Sequence, residues 1–154
     1  MIPSLELRWL KPDKGLSLPL IVMANWRSDY GGCYHRPWPY QYEINGRFYD
    51  GAKGIIEIVD TTEDELSISI GSMIAHEFRH HWQWHQGLAA GNTENAYNPD
   101  IDYKSTIINY FMKQPKEMDA LMFEQKMYPC DVTREWAEWI IKEQEKSNEW
   151  NSAR

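Results

Sequence analysis

The chain has no apolar run that approaches the ~18 residues of a membrane span. Its N-terminus also lacks the basic-then-apolar pattern of an export signal. No membrane partner is expected, and the location expected is cytoplasmic. There is no basic run either: 16 Lys and Arg stand against 23 Asp and Glu, for a net charge of −7. Such a balance disfavours electrostatic binding to a phosphate backbone, so nucleic acid is not expected among the partners. Cysteine is scarce. Cys33 and Cys130 lie far apart, form no Cys-x-x-Cys pair and read as free thiols rather than ligands. No repeat or low-complexity segment is present.

What the chain does have is length for one core and large aromatics to fill it. Its 154 residues suit a single domain, 1–154. Tryptophan occurs eight times, at positions 9, 26, 38, 82, 84, 136, 139 and 150, more than usual and enough to stiffen a core.

The most informative stretch is Ile74-Ala75-His76-Glu77-Phe78-Arg79-His80-His81-Trp82-Gln83, which carries His-Glu-x-x-His. Residues four apart lie above one another on an α-helix, so His76 and His80 offer two imidazoles to one point. That is half of a zinc site. Glu77 stands about 100° around the helix from His76 and about 60° from His80, where it flanks a metal and can act as general base towards an activated water. Ile70, Ile74, Phe78 and Trp82 form an apolar stripe, with Met73 and Trp84 on the histidine side. Only Ser72, Arg79, Gln83 and Gln86 make a polar strip, which marks a buried helix. Two histidines and a glutamate in such a helix need partners, and a metal ion satisfies all three.

Along the rest of the chain, Leu5–Leu10 precedes a turn at Pro12-Asp13-Lys14-Gly15, and Leu20-Ile21-Val22-Met23 is strand-like. Gly31–Pro39 reads as a loop in which His35 is expected as an exposed side chain, with a zinc ligand as the alternative. Tyr40–Ile44 and Arg47–Asp50 flank Asn45-Gly46, a hairpin signal. A third strand is expected at Ile55–Val59. Thr62 and Glu65 have capping-box spacing ahead of the histidine helix, which should begin between Leu66 and Ser72 and end at Gly87. Ala89–Asp102 is loop-like. Helices are expected over Ser105–Lys113, from Pro115 to about Met127, and from Thr133 to about Ser147, the last with Trp136, Trp139 and Ile140 on one face and a frayed tail beyond.

A catalytic zinc site takes a third protein ligand and leaves a fourth position for water. His81 and His85, at about 140° and 180° from His76, point away and suit packing or surface roles. The segment Gln114-Pro115-Lys116-Glu117-Met118-Asp119-Ala120 is the better source. His-Glu-x-x-His followed beyond a loop by Pro-x-Glu-x-(Asp/Glu)-Ala resembles the gluzincins, zincin metallopeptidases whose third ligand is glutamate. It is most similar to their small versions, the ImmA/IrrE-type and phage-encoded peptidase-like domains, over roughly residues 55–128. SprT-like zincins, which use a third histidine, fit less well because no histidine follows His85.

The resemblance implies an α+β, minimal zincin-like fold. A small, twisted, mostly antiparallel sheet would pack on the His-Glu-x-x-His helix and a glutamate-bearing helix, with a C-terminal helix added. It implies one Zn2+ per chain held by His76, His80 and Glu117, with Glu77 as base, and Glu124, two turns beyond Glu117, as the rival ligand. It implies hydrolysis of a peptide or protein substrate, paired with an edge strand offered by Ile55–Val59. Arg79 departs from the small residue common there, and no aspartate follows Glu117 by four, so Asp119 or another carboxylate must orient a ligand histidine. Tyr97, Tyr103, Tyr110 and Arg79 are the candidates for stabilising an oxyanion. The alternative function is a non-catalytic zincin-like domain, stabilised by zinc, that binds a protein.

Overall fold

The central strand of the fold is the run Ile55-Ile56-Glu57-Ile58-Val59, β-branched at four of its five positions. The computed structural model describes residues 18–24, 32–59, 70–87 and 100–152. Over these the elements are β1 (Leu20–Ala24), β2 (Gly32–His35), β3 (Gln41–Ile44), β4 (Arg47–Asp50), β5 (Ile55–Val59), α1 (Ile70–His85), α2 (Tyr103–Lys113), α3 (Pro115–Met127) and α4 (Asp131–Ser152). The fold is α+β. Leu5–Leu10, the turn at Pro12–Gly15, the Thr62/Glu65 cap and nearly all of the Ala89–Asp102 loop lie outside the described residues.

Three strands form a mixed sheet in the order β1-β5-β2, and β3 and β4 form a separate two-stranded hairpin. Two of the three ladders, β2 on β5 and β3 on β4, are antiparallel, while β1 pairs with β5 in parallel. The parallel pairing is compatible with β2, which lies between β1 and β5 in sequence and runs antiparallel to β5, so that the chain reverses before β5 repeats the direction of β1. The hairpin turns at Asn45 and Gly46, at φ 52° and 75°, the positive angles that a two-residue turn of this hand requires.

Two sequence expectations need correction. β5 is not an edge strand: it lies between β1 and β2, with Ile55, Ile56 and Ile58 fully buried. Its isoleucines occupy both faces, which is the composition of a strand covered on both sides. Among the described residues the edges are β1 and β2, and β2 lies in a stretch with the composition of a loop. Gly-Gly and two prolines bound it, but pairing with β5 imposes an extended backbone on Gly32–His35.

α1 packs on one face of the sheet, its Met73, Ile74 and Phe78 meeting Ile56 and Ile58. On the other face, Val22 and Ile55 meet Ile44 of the hairpin, flanked by Tyr42 and Tyr49. A second core of Phe111, Leu121, Ala137 and Ile140 joins α2, α3 and α4. α2 is capped by Asp102, whose carboxylate accepts from the backbone N–H and the hydroxyl of Ser105. Pro115 opens α3 at its first turn, where its missing N–H costs nothing. Gly87, at φ 81°, follows the end of α1. α4 runs five residues beyond the expected Ser147, to Ser152. The run Lys142-Glu143-Gln144-Glu145-Lys146 just before Ser147 consists of good helix formers, and the helix continues from it through the tail expected to fray.

Candidate metal centre

α1 is held from two sides: the sheet covers its apolar stripe, and α3 covers the polar strip. Ser72 donates to the carbonyl of Tyr128. Gln83 donates through Nε2 to the carbonyl of Lys116 at 3.0 Å and to Asp119 Oδ2 at 2.7 Å. Arg79 grips the same aspartate through Nε at 2.8 Å and Nη2 at 3.2 Å, while its guanidinium lies over the rings of Trp82 and Phe123. The polar strip is therefore the docking surface for α3. Through it, two glutamates of α3 reach the histidines.

The imidazoles of His76 and His80 stack edge to face, with centroids 4.9 Å apart. Glu117, in the first turn of α3, spans them: its Oε2 is 2.8 Å from His76 Nε2 and its Oε1 is 3.1 Å from His80 Nε2. Glu124 takes the other side of His76, its Oε1 2.9 Å from Nδ1. Seven residues are about two helical turns, so Glu117 and Glu124 share a face and bracket one imidazole between them. The sequence left these two as rivals, and the geometry separates them. Glu117 faces both Nε2 atoms, whereas Glu124 orients His76 from behind.

His80 is oriented in the same manner by Gln83, whose Oε1 is 2.9 Å from Nδ1. Because Gln83 Nε2 already faces two acceptors, its oxygen is the end turned to the histidine, and Nδ1 must be the donor. Asp119 thus supports His80 one step removed, through Gln83 rather than directly. With both Nδ1 atoms donating, the electron pairs of the two Nε2 atoms point at the carboxylate of Glu117. Lone pairs cannot face one another in a buried site without something positive between them.

Protons are one solution. Burial disfavours charge on His76, but hydrogen bonds to Glu117 and Glu124 outweigh it and hold the imidazole well above its ordinary range. Burial likewise opposes ionisation of Glu117, and the two histidines nevertheless carry it well below the usual carboxylate range. A divalent cation is the other solution. His76, His80 and Glu117 bring one ligand atom each within 4.8 Å of the others, and two imidazoles with one carboxylate make a donor set suited to zinc. Orientation of each imidazole through its second nitrogen is what metal-binding histidines ordinarily have.

Glu77 is 8% exposed and is excluded from the ligand trio. It lies beneath β2: a Cβ on Gly32 would sit 3.1 Å from Glu77 Cγ. Burial raises its carboxyl above the ordinary value, against the pull of His76 and His80. Comparison with known proteins finds no matching family model, no similar curated protein and no similar solved structure.

The remaining sequence candidates go elsewhere. His81 is fully buried, with Nδ1 2.8 Å from the Tyr34 hydroxyl, and His85 is exposed beside it, ring centroids 4.6 Å apart. Of the oxyanion candidates, Arg79 is paired with Asp119, Tyr103 accepts from Trp136 Nε1 and Tyr110 packs in the α2–α3–α4 core. Tyr97 lies outside the described residues. His35 is not an exposed loop side chain: it is partly buried on β2, and its Nε2 is 2.8 Å from Glu57 Oε2. A Cys-x-His spacing on an extended strand is the available signal, hidden because Gly31–Pro39 has the glycine and proline content of a loop.

Glu124→Ala removes the acceptor behind His76 without touching the three converging atoms. Zinc affinity is expected to fall by ~10–100-fold, read by competition with a chromophoric chelator. Unchanged affinity would remove Glu124 from any part in holding the centre.

Proposed function

We propose that the chain is a zinc-dependent peptidase of the small gluzincin kind, acting in the cytoplasm on a peptide or protein substrate. The observation that carries this reading is the convergence of His76 Nε2, His80 Nε2 and the Glu117 carboxylate, with Glu77 beside them but not among them. His76, His80 and Glu117 would hold the ion, and Glu124 and Gln83 keep the two rings turned towards it. Zinc, when bound, supplies a Lewis acid that polarises a carbonyl and acidifies water. Glu77 takes a proton from the attacking water and returns it to the leaving nitrogen. Its burial favours the protonated form needed for the second transfer. β2, which among the described residues pairs only with β5, offers an open edge above Glu77 where an extended peptide can add a strand.

The test is the metal content of untagged protein, wild type against Glu117→Ala. About one zinc per chain, lost or weakened in the variant, is expected from a three-ligand site. Zinc unaffected by the substitution would move the third ligand elsewhere, and no zinc even after addition would leave the peptidase reading without support. A zinc-stabilised, non-catalytic binding domain is the second reading. It is favoured by the engagement of Arg79, Tyr103 and Tyr110 away from the centre.

A further inference from the structure

The face of the sheet turned away from α1 carries a second cluster. Alternate side chains of a strand share a face, so Cys33 and His35 of β2 project oppositely to Tyr34, which packs on the α1 side. The register sets Cys33 directly across from Glu57 of β5, and paired residues of antiparallel strands also share a face. Cys33, His35 and Glu57 thereby bring one sulfur, one imidazole nitrogen and one carboxylate oxygen within 4.8 Å of one another.

Glu57 is the residue that needs explaining. It interrupts the isoleucines of the central strand and is 6% exposed. A buried carboxylate is stable only with charged or hydrogen-bonding partners, and His35 Nε2 is one of them at 2.8 Å. A histidine–glutamate pair has no need of a thiol, yet Cys33 completes a set of three different metal-ligating atoms. We propose that Cys33, His35 and Glu57 form a second site for a zinc-type divalent cation, a clip between the edge strand and the central strand with its fourth position open.

The donor types set the class of ion. Thiolate with imidazole and a single carboxylate suits zinc or cobalt, whereas magnesium and calcium take oxygen ligands. Burial pushes the Cys33 thiol up to about 12, with Glu77, Glu57 and Glu117 adding to it. A metal takes sulfur as the thiolate, so binding at this site would release the Cys33 proton to solvent. An occupied clip would tie down β2, the strand whose Gly32 lies against Glu77. The site shares no residue with the His76 centre.

Cobalt(II) distinguishes the two, because only a thiolate ligand adds a near-ultraviolet sulfur-to-metal charge-transfer band, and Cys33 and Cys130 are the only cysteines of the chain. Titration of the full chain is expected to produce that band. Cys33→Ser should abolish it, and Cys130→Ser and His76→Ala should keep it, with circular dichroism confirming that each variant is folded. His35→Gln, which leaves the thiol in place, should weaken cobalt binding by more than the ~10–100-fold of a lost outer partner. No band in the wild type, or a band that survives Cys33→Ser, would overturn the proposal. A band lost in His76→Ala would assign the thiol to the His76 centre and overturn a separate site. A band kept by a protein whose metal content is unaffected by Glu117→Ala would support this site while rejecting the three-ligand centre.

Discussion

Glu77→Gln is expected to keep zinc and to lose peptide hydrolysis by roughly 10²–10⁴-fold, the contribution of a positioned general acid–base. The amide matches the carboxylate in shape, which matters for a side chain 8% exposed beneath Gly32. Glu77 is also not one of the three converging ligands, so the metal should remain. The measurement is turnover of an unbiased peptide mixture by mass spectrometry, with zinc assayed on the same preparation. Cleavage retained in the variant would reject Glu77 as base. Cleavage and zinc lost together would make Glu77 a ligand. A wild type that holds zinc and cleaves nothing would favour the binding-domain reading.

His76→Ala is expected to have the largest effect on stability. His76 stands between two carboxylates, with Glu117 Oε2 2.8 Å from one ring nitrogen and Glu124 Oε1 2.9 Å from the other. Its removal leaves both oxygens buried without that partner. Breaking a buried charged pair from one side costs about 3–5 kcal/mol, against a total stability of roughly 5–15 kcal/mol for a domain. Urea unfolding in the presence of a chelator isolates this term from metal binding. His85→Ala is the comparison, because His85 is exposed on the same helix and surface changes usually stay within about 0.5 kcal/mol. Equal midpoints for the two variants would show that the carboxylate bracket does not hold α1 to α3. Zinc affinity should fall in His76→Ala alone, since His85 lies away from the converging atoms.

Local pattern was enough for several elements. The period of the apolar residues and Gly87 located α1, and Asn45-Gly46 located the hairpin. Pro115 marked the first residue of α3, because proline is tolerated there and not further in. The His76–His80 pairing followed from the helical repeat alone. Where local pattern failed, a partner distant in sequence supplied the structure. β2 has glycine, cysteine and histidine at three of its four positions and is a strand because β5 lies beside it.

The same division runs through the centre itself. A sequence with a period of 3.6 determines which residues share a face of one helix, so the sequence by itself placed His76 and His80 together, set Glu77 beside them and aligned Glu117 with Glu124. It could not determine which of those glutamates meets which ring nitrogen. That depends on the axial position of α3 against α1, set by non-local contacts such as Asp119 with Arg79 and Gln83. Tertiary structure alone made Glu117 the shared partner of both Nε2 atoms and Glu124 the support of one Nδ1. It also put β5 between β1 and β2 rather than at an edge, because a strand apolar on both faces is most stable where both faces are covered.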